Sequence, residues 1–283
     1  MKYGIVVDSG CDLRLLEGDD ENLIYRQAPL SLRLDESEWV DDNGLDTKIF
    51  MREMAKCTRS GSAAPGPEDW CRFYMEAEEI FAITITGTLS GSYNSAAAAR
   101  QMVMDKYPNK KIFLLDSKST GPEMTLLVYK IRECVRKGMT FEEITEEITM
   151  YHRKTRLLFV LESLDNLVKN GRVSKIRGIM AGVLGIRILG RASEEGTLEI
   201  LKKCRGKQGA YDKLVQQMAE DGYQGTKVVI SHCFQEEMAQ YLCDLLRKRF
   251  PACQTEIMPT SGLCSYYAEQ GGILVGYDIC SGE

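Results

Sequence analysis

Gly87-Thr88-Leu89-Ser90-Gly91-Ser92-Tyr93-Asn94-Ser95-Ala96 joins a β-rich run, Ile80 to Thr86, to an Ala-rich helical one, Asn94 to Tyr107. Its small and hydroxylated residues leave backbone N–H groups uncovered where the helix begins. That end carries unsatisfied donors and partial positive charge, so it favours an anion. Ser90 and Ser92 add hydroxyl donors, and Gly91 keeps the backbone between them bare. The same residues also read as a serine-rich helix start with no ligand. A second hydroxyl-and-proline loop, Ser60-Gly61-Ser62-Ala63-Ala64-Pro65-Gly66-Pro67, also leads into a helix. In a doubly wound sheet both loops lie at the carboxyl ends of strands, where ligands bind. Two such loops facing one crevice suit a small anion better than a large phosphate ester, and neither has the GxxxxGK[ST] pattern.

Nucleophilic catalysis has weaker support. Gly87 stands three residues before Ser90, not two, so the segment is not GxSxG. A serine nucleophile needs a base. His152 reads as the last turn of a helix, where a histidine stabilises the C-terminus, and His232 as a polar strand end. Asp8-Ser9 and Asp116-Ser117 resemble phosphotransfer aspartates, but no second acid stands two positions on from either. Polar strand ends and helix caps are the plainer reading.

Positioning these residues takes a chain of ordinary globular composition: 283 residues, 44% hydrophobic and 27% charged, enough for two domains. No apolar run approaches the roughly 18 residues of a membrane helix. The opening MKYGIVVDSG enters a strand directly and lacks a secretory pattern. The expectation is a cytoplasmic protein without stable membrane insertion. Ten cysteines with no CxxC pair, and only two histidines, read as reduced thiols and not a metal site. Net charge is −5, but Lys169 to Lys207 holds ten Lys or Arg against three Glu, a local +7 that leaves −12 elsewhere. This patch fits an acidic or phosphate-bearing partner, or a solvated face. Nucleic acid is not expected, because interleaved aromatics are missing and the whole chain is acidic.

In the first half, strands at Tyr3 to Val7, Ile80 to Thr86 and Lys111 to Leu115 alternate with helices. Helices are expected from Asp46 (as N-cap) to Cys57, from Pro67, over residues 122–137, and from the Thr140/Glu143 capping box to about Arg153. That alternation predicts a mostly parallel sheet with helices on both faces. In the second half, strands at Leu157 to Leu161, Ile186 to Leu189, Thr197 to Lys202, Lys227 to Ser231, 253–258 and 272–278 surround helices near 207–220 and 235–249, with a hairpin turn at Glu194-Glu195-Gly196. The expected class is α/β in two domains. Residues 1–155 form a three-layer α/β/α unit with the carboxylate-size anion loops, and residues 156–283 a second α/β unit with a mixed sheet.

An ordered set of motifs resembles the DegV family, whose better-understood members are fatty-acid-binding subunits of bacterial fatty acid kinase. Asp8-Ser9 resembles the family's opening and Ala28-Pro29-Leu30 its next marker. Ser62-Ala63-Ala64-Pro65-Gly66-Pro67 is similar to TSQPSP, and Leu89 to Ala96 to LSGTYQSA. Asp116-Ser117 fits a later strand end. Leu164 to Ser174 resembles LxxLxKGGRIS, Ile186-Arg187-Ile188-Leu189 an IKPI-like segment, and Lys203 to Lys207 its KxRGxK continuation. The resemblance covers essentially the whole chain. It implies a DegV-like fold with an acyl chain in an apolar tunnel between the domains and no cofactor. The carboxylate would be held by Ser62, Ser90, Gly91 and Ser92. A separate kinase subunit would phosphorylate it to an acyl phosphate, with Arg172 serving partner docking. Tyr267 takes the place of a family histidine near the carboxylate, followed by Ala268-Glu269-Gln270-Gly271. The implied protein is a non-catalytic lipid carrier. A stand-alone serine hydrolase or transferase, or a lipid sensor without a kinase, are the alternatives.

Overall fold

β1 (Tyr3–Asp8) is buried at every position, as a short apolar run in the middle of a parallel sheet must be. The structure, a computed structural model, describes residues 2–18, 20–173 and 185–279. After β1 come β2 (Leu23–Ala28), β3 (Ser31–Leu34), β4 (Ser37–Val40), α1 (Thr47–Met54), β5 (Ser60–Ala63), α2 (Pro67–Tyr74), β6 (Glu79–Thr84), α3 (Ser92–Lys106), β7 (Lys111–Asp116), α4 (Pro122–Arg136) and α5 (Phe141–His152). The chain continues through β8 (Thr155–Leu161), α6 (Asp165–Lys169), β9 (Ile186–Ala192), β10 (Leu198–Arg205), α7 (Lys207–Glu220), β11 (Lys227–His232), α8 (Glu236–Arg249), β12 (Gln254–Pro259), α9 (Gly262–Ala268) and β13 (Ile273–Asp278).

The first sheet is wholly parallel, in the order β2-β1-β6-β7. Its alternating side chains separate two cores. Val6, Ile80 and Ala82 pack under α2 and α3, with Trp70, Tyr74, Ala96 and Ala99. Ile5, Val7, Phe81 and Ile83 pack under α4 and α5, with Met124, Leu127 and Ile144. This is the expected three-layer arrangement. Strand order reverses between β1 and β6, and at such a switch point the strand ends diverge to leave a crevice. Local signals act as read: Asp46 caps α1 through Lys48 and Ile49 N–H, and the Thr140/Glu143 capping box opens α5.

The second sheet has the order β10-β9-β8-β13-β11-β12 and is mixed, with only β11 and β12 parallel. β8 shows how it is used. Leu158 and Val160 face a core with α7 and α8. Leu157, Phe159 and Leu161 face the other way, toward the first unit. α4 packs against strands of both sheets, which ties the two units together. No helix among the described residues is long and apolar enough to cross a membrane.

One expectation needs correction, and one element has no counterpart in the sequence reading. Ser60 to Ala63 is not a loop at the end of a parallel strand. It is β5, paired antiparallel to β3 with Ser62 opposite Leu32, in a small sheet of order β4-β3-β5. Gly and Ser are poor strand formers, so nothing local announces this strand. Pairing with β3, whose Leu32 and Leu34 are buried, imposes it. The segment around Gly262 also contains a helix, α9, which has no amphipathic repeat to reveal it because almost every residue is buried.

Candidate functional site

The Leu157, Phe159 and Leu161 side of β8 and the crevice at the ends of β1 and β6 bound a cavity with about 920 Å³ of empty space, its mouth included. Leu157, Phe159, Leu161, Leu198, Leu263 and Leu274 make most of its wall apolar. The polar lining gathers around the start of α3. Ser62, Ser90, Gly91, Arg172 and Tyr267 all face this space, and the residue at 91 lies against Ala64. The two loops singled out by sequence therefore converge, although one of them is a strand.

Each polar group is held by its neighbours. Gly91 is the N-cap of α3 and offers no side chain to its N–H groups. Ser90 Oγ accepts the Ser92 N–H at 3.3 Å, which leaves the Ser90 hydroxyl proton to donate. Ser62 Oγ and Tyr267 OH lie 2.8 Å apart. One hydroxyl donates to the other, so the pair keeps one proton for a ligand. Arg172 donates from Nη1 to Asn170 O at 2.6 Å and from Nε to Leu89 O at 3.3 Å, which anchors its guanidinium beside the Leu89–Gly91 turn. A helix N-terminus, two hydroxyl donors and a guanidinium thus line the same cavity, a set of donors that suits a carboxylate.

Ser92 departs from expectation. It is fully buried and is not among the cavity residues. Its hydroxyl donates to Asp8 Oδ2, an oxygen that also accepts the Ile85 N–H at 2.9 Å. Asp8 Oδ1 accepts the Gly10 N–H at 3.0 Å. Burial pushes the Asp8 carboxyl up to about 6, against the pull of these three donors. The Ser92 hydroxyl is therefore committed to Asp8 behind the cavity wall, where it stiffens the turn. Asp8-Ser9 has a related structural role: Ser9 Oγ accepts the Leu30 N–H at 2.9 Å. Asp116 Oδ1 accepts the Gly87 N–H at 3.1 Å and the Lys118 N–H at 2.9 Å, fixing the cavity's loops.

Tyr267 reaches the site because α9 is aimed at it by the first unit. Buried Asp41 accepts the Gly262 and Leu263 N–H groups at 2.9 and 2.8 Å and pairs with Arg14. Asp12 Oδ1 accepts the Ser261 N–H at 2.7 Å. Two carboxylates at a helix N-terminus are favourable. The hairpin turn between β9 and β10 closes another side. Thr86 Oγ1 donates to Gly196 O at 2.7 Å, and Thr88 Oγ1 to Glu195 O at 2.6 Å. Gly196 has φ +78°, and a Cβ there would stand 2.2 Å from Thr86 Oγ1, so only glycine fits.

Neither histidine is placed for catalysis at this site. His152 Nε2 lies 2.8 Å from Ser117 O, His232 Nδ1 accepts the Gln235 N–H at 3.3 Å, and neither lines the cavity. Ser174 and part of the positive segment around it lie outside the described residues. Sequence reasoning missed Thr86, Lys118, Phe159, Leu167 and Leu198 as cavity residues. β8 is apolar at every position from Leu157 to Leu161, so its sequence does not say which side lines a cavity; all five depend on how the two units meet.

A parallel sheet with a switch-point crevice, faced by the apolar side of a mixed sheet, defines a two-unit α/β protein with a largely apolar cavity that gathers hydrogen-bond donors at the start of α3. Residues 2–278 match the model of the DegV family, described as uncharacterised proteins, and the chain belongs to that family. A DegV domain-containing protein of Streptococcus pneumoniae is 46% identical over 99% of this chain and all of its own length. Among solved structures, the Streptococcus pneumoniae Fatty Acid Kinase (Fak) B3 protein loaded with linoleic acid is 44% identical, with a TM-score of 0.96 over 99% of this chain and 100% of that one. A DegV family protein from Eubacterium eligens loaded with heptadecanoic acid is 38% identical, with a TM-score of 0.93 over 98% and 100%.

Proposed function

We propose that this chain binds a long-chain fatty acid and presents its carboxylate to a separate kinase subunit for conversion to an acyl phosphate. The observation that carries this reading is one cavity with an aliphatic wall and a converging set of anion donors, in a fold shared with fatty-acid-loaded relatives. Ser62, Ser90, Gly91 and Tyr267 hold the carboxylate, and Arg172 stands at the same end, where an incoming phosphate needs positive charge. Burying each methylene contributes about 0.8 kcal/mol. A long chain therefore supplies roughly 10 kcal/mol before the cost of association, and the polar end serves orientation more than affinity. The relative's name, Fatty Acid Kinase, supports the partner. A stand-alone hydrolase is disfavoured because the cavity lacks a histidine beside Ser90.

The test is extraction of the purified protein with organic solvent, followed by mass spectrometry, and then incubation of the loaded protein with a fatty acid kinase catalytic subunit and ATP. A stoichiometric fatty acid and partner-dependent acyl phosphate are expected. A protein that takes up no added fatty acid would overturn the reading. Turnover of an activated ester without any partner would replace it with the hydrolase.

A further inference from the structure

Phe159 stands in the middle of β8 on the face that lines the cavity. Its direct cross-strand partners are Gly190 on β9 and Leu274 on β13. In an antiparallel pair, opposed residues share a face, so Gly190 turns its missing side chain toward the cavity. Ile188 and Ala192, two positions either side on β9, share that face and pack in the same apolar cluster. Gly190 is thus a notch in an otherwise continuous wall.

The Phe159 ring occupies the notch. A Cβ on Gly190 would lie 2.4 Å from Cζ and 2.5 Å from Cε2 of the ring. The aromatic ring therefore leans across β9 at the one position where no side chain stops it. With any larger residue at 190, the ring would have to stand away from β9 and into the space beside Leu157 and Leu161. One side-chain volume moved in or out of a cavity wall is a large change where the contents pack by contact, because a gap of even half an ångström forfeits much of the dispersion attraction.

We propose that the Phe159–Gly190 pair selects the shape of the acyl chain this cavity accepts, a step that rests on the fatty acid reading above. With the ring laid in the notch, the cavity has the width to take a chain bent by a cis double bond. With the ring raised, a straight saturated chain fits and a bent one collides. The pair is apolar and offers a carboxylate no donor, so it changes which chain binds and not how the head group is held.

The test measures displacement of a fluorescent fatty acid by stearic acid and by oleic acid, equal in length and different in the single cis bond, on the full chain. Gly190→Ala raises the ring and is expected to lower the oleate-to-stearate affinity ratio by about tenfold, the discrimination that a methylene's worth of pocket space provides. Phe159→Leu leaves a void that a bent chain fills better, and is expected to raise the ratio severalfold. A new Cβ at 190 also meets Glu199 O at 2.5 Å. Should that variant fail to fold, Phe159→Leu decides alone. A ratio that stays within about twofold of wild type in every folded variant, while both acids still bind, overturns the selector and leaves the fatty acid reading standing. A wild-type protein that binds neither acid overturns both.

Discussion

Replacing Ser92 by alanine separates a structural serine from a ligand-binding one. The Ser92 hydroxyl donates to Asp8, a fully buried carboxylate whose other donors are the backbone N–H groups of Gly10 and Ile85. A hydrogen bond to a charged group contributes about 1.5–3 kcal/mol. With Asp8 ionised the variant is expected to lose up to that much stability, a fall in Tm of about 3–5 °C. The loss has a pH signature. Asp8 has a folded-state pKa of about 6, above its ordinary 3.8, so the native state binds its proton more readily than the unfolded chain. Its contribution to stability is then greatest below about pH 4 and falls as pH rises toward 6. Ser92 favours the ionised form, so Ser92→Ala raises that pKa further. The stability gap between wild type and variant should be small up to about pH 5, open as pH passes 6, and keep growing until pH exceeds the variant's raised pKa. Urea denaturation at several pH values reads this directly, with fatty acid affinity measured on the same samples. Unchanged stability with a tenfold loss of affinity would refute the reasoning and return Ser92 to the carboxylate site.

Three further outcomes are expected. Ser90→Ala should weaken fatty acid binding by about 1–3 kcal/mol through loss of a donor to a charged group, with Tm in the absence of ligand nearly unchanged; equal affinity by fluorescent displacement would remove Ser90 from the site. Asp41→Ala leaves Arg14 and the Gly262 and Leu263 N–H groups without their buried partner and should cost about 3–5 kcal/mol, read as a lower urea midpoint. Gly196→Ala forces a methyl against Thr86 at a positive φ; a cost of about 1–3 kcal/mol and faster release of a bound fluorescent fatty acid are expected, and an unchanged release rate would show that the hairpin turn does not close the cavity.

The alternation of strands with helices, Asp46 as a cap, the Thr140/Glu143 box and the parallel first sheet were all legible in the sequence, because each depends on residues close together in the chain. So was the bare helix start at the Ser90 loop, since the lack of a capping side chain at Gly91 depends on local residue type alone. The motif order identified the family before any fold was in view. What stayed hidden depends on contacts between residues far apart. β5 is a strand only because β3 lies beside it. α9 points Tyr267 at Ser62 only because Asp12 and Asp41, more than two hundred residues earlier, hold its first turn. Two serines that look alike in Ser90-Gly91-Ser92 part company at the start of α3: one faces the cavity and the other turns inward to a carboxylate brought there by β1. Sequence determined the kind of chemistry this end of the sheet can do. Tertiary packing decided which hydroxyl is free to do it, because a hydroxyl has one proton and a buried charge beside it takes that proton first.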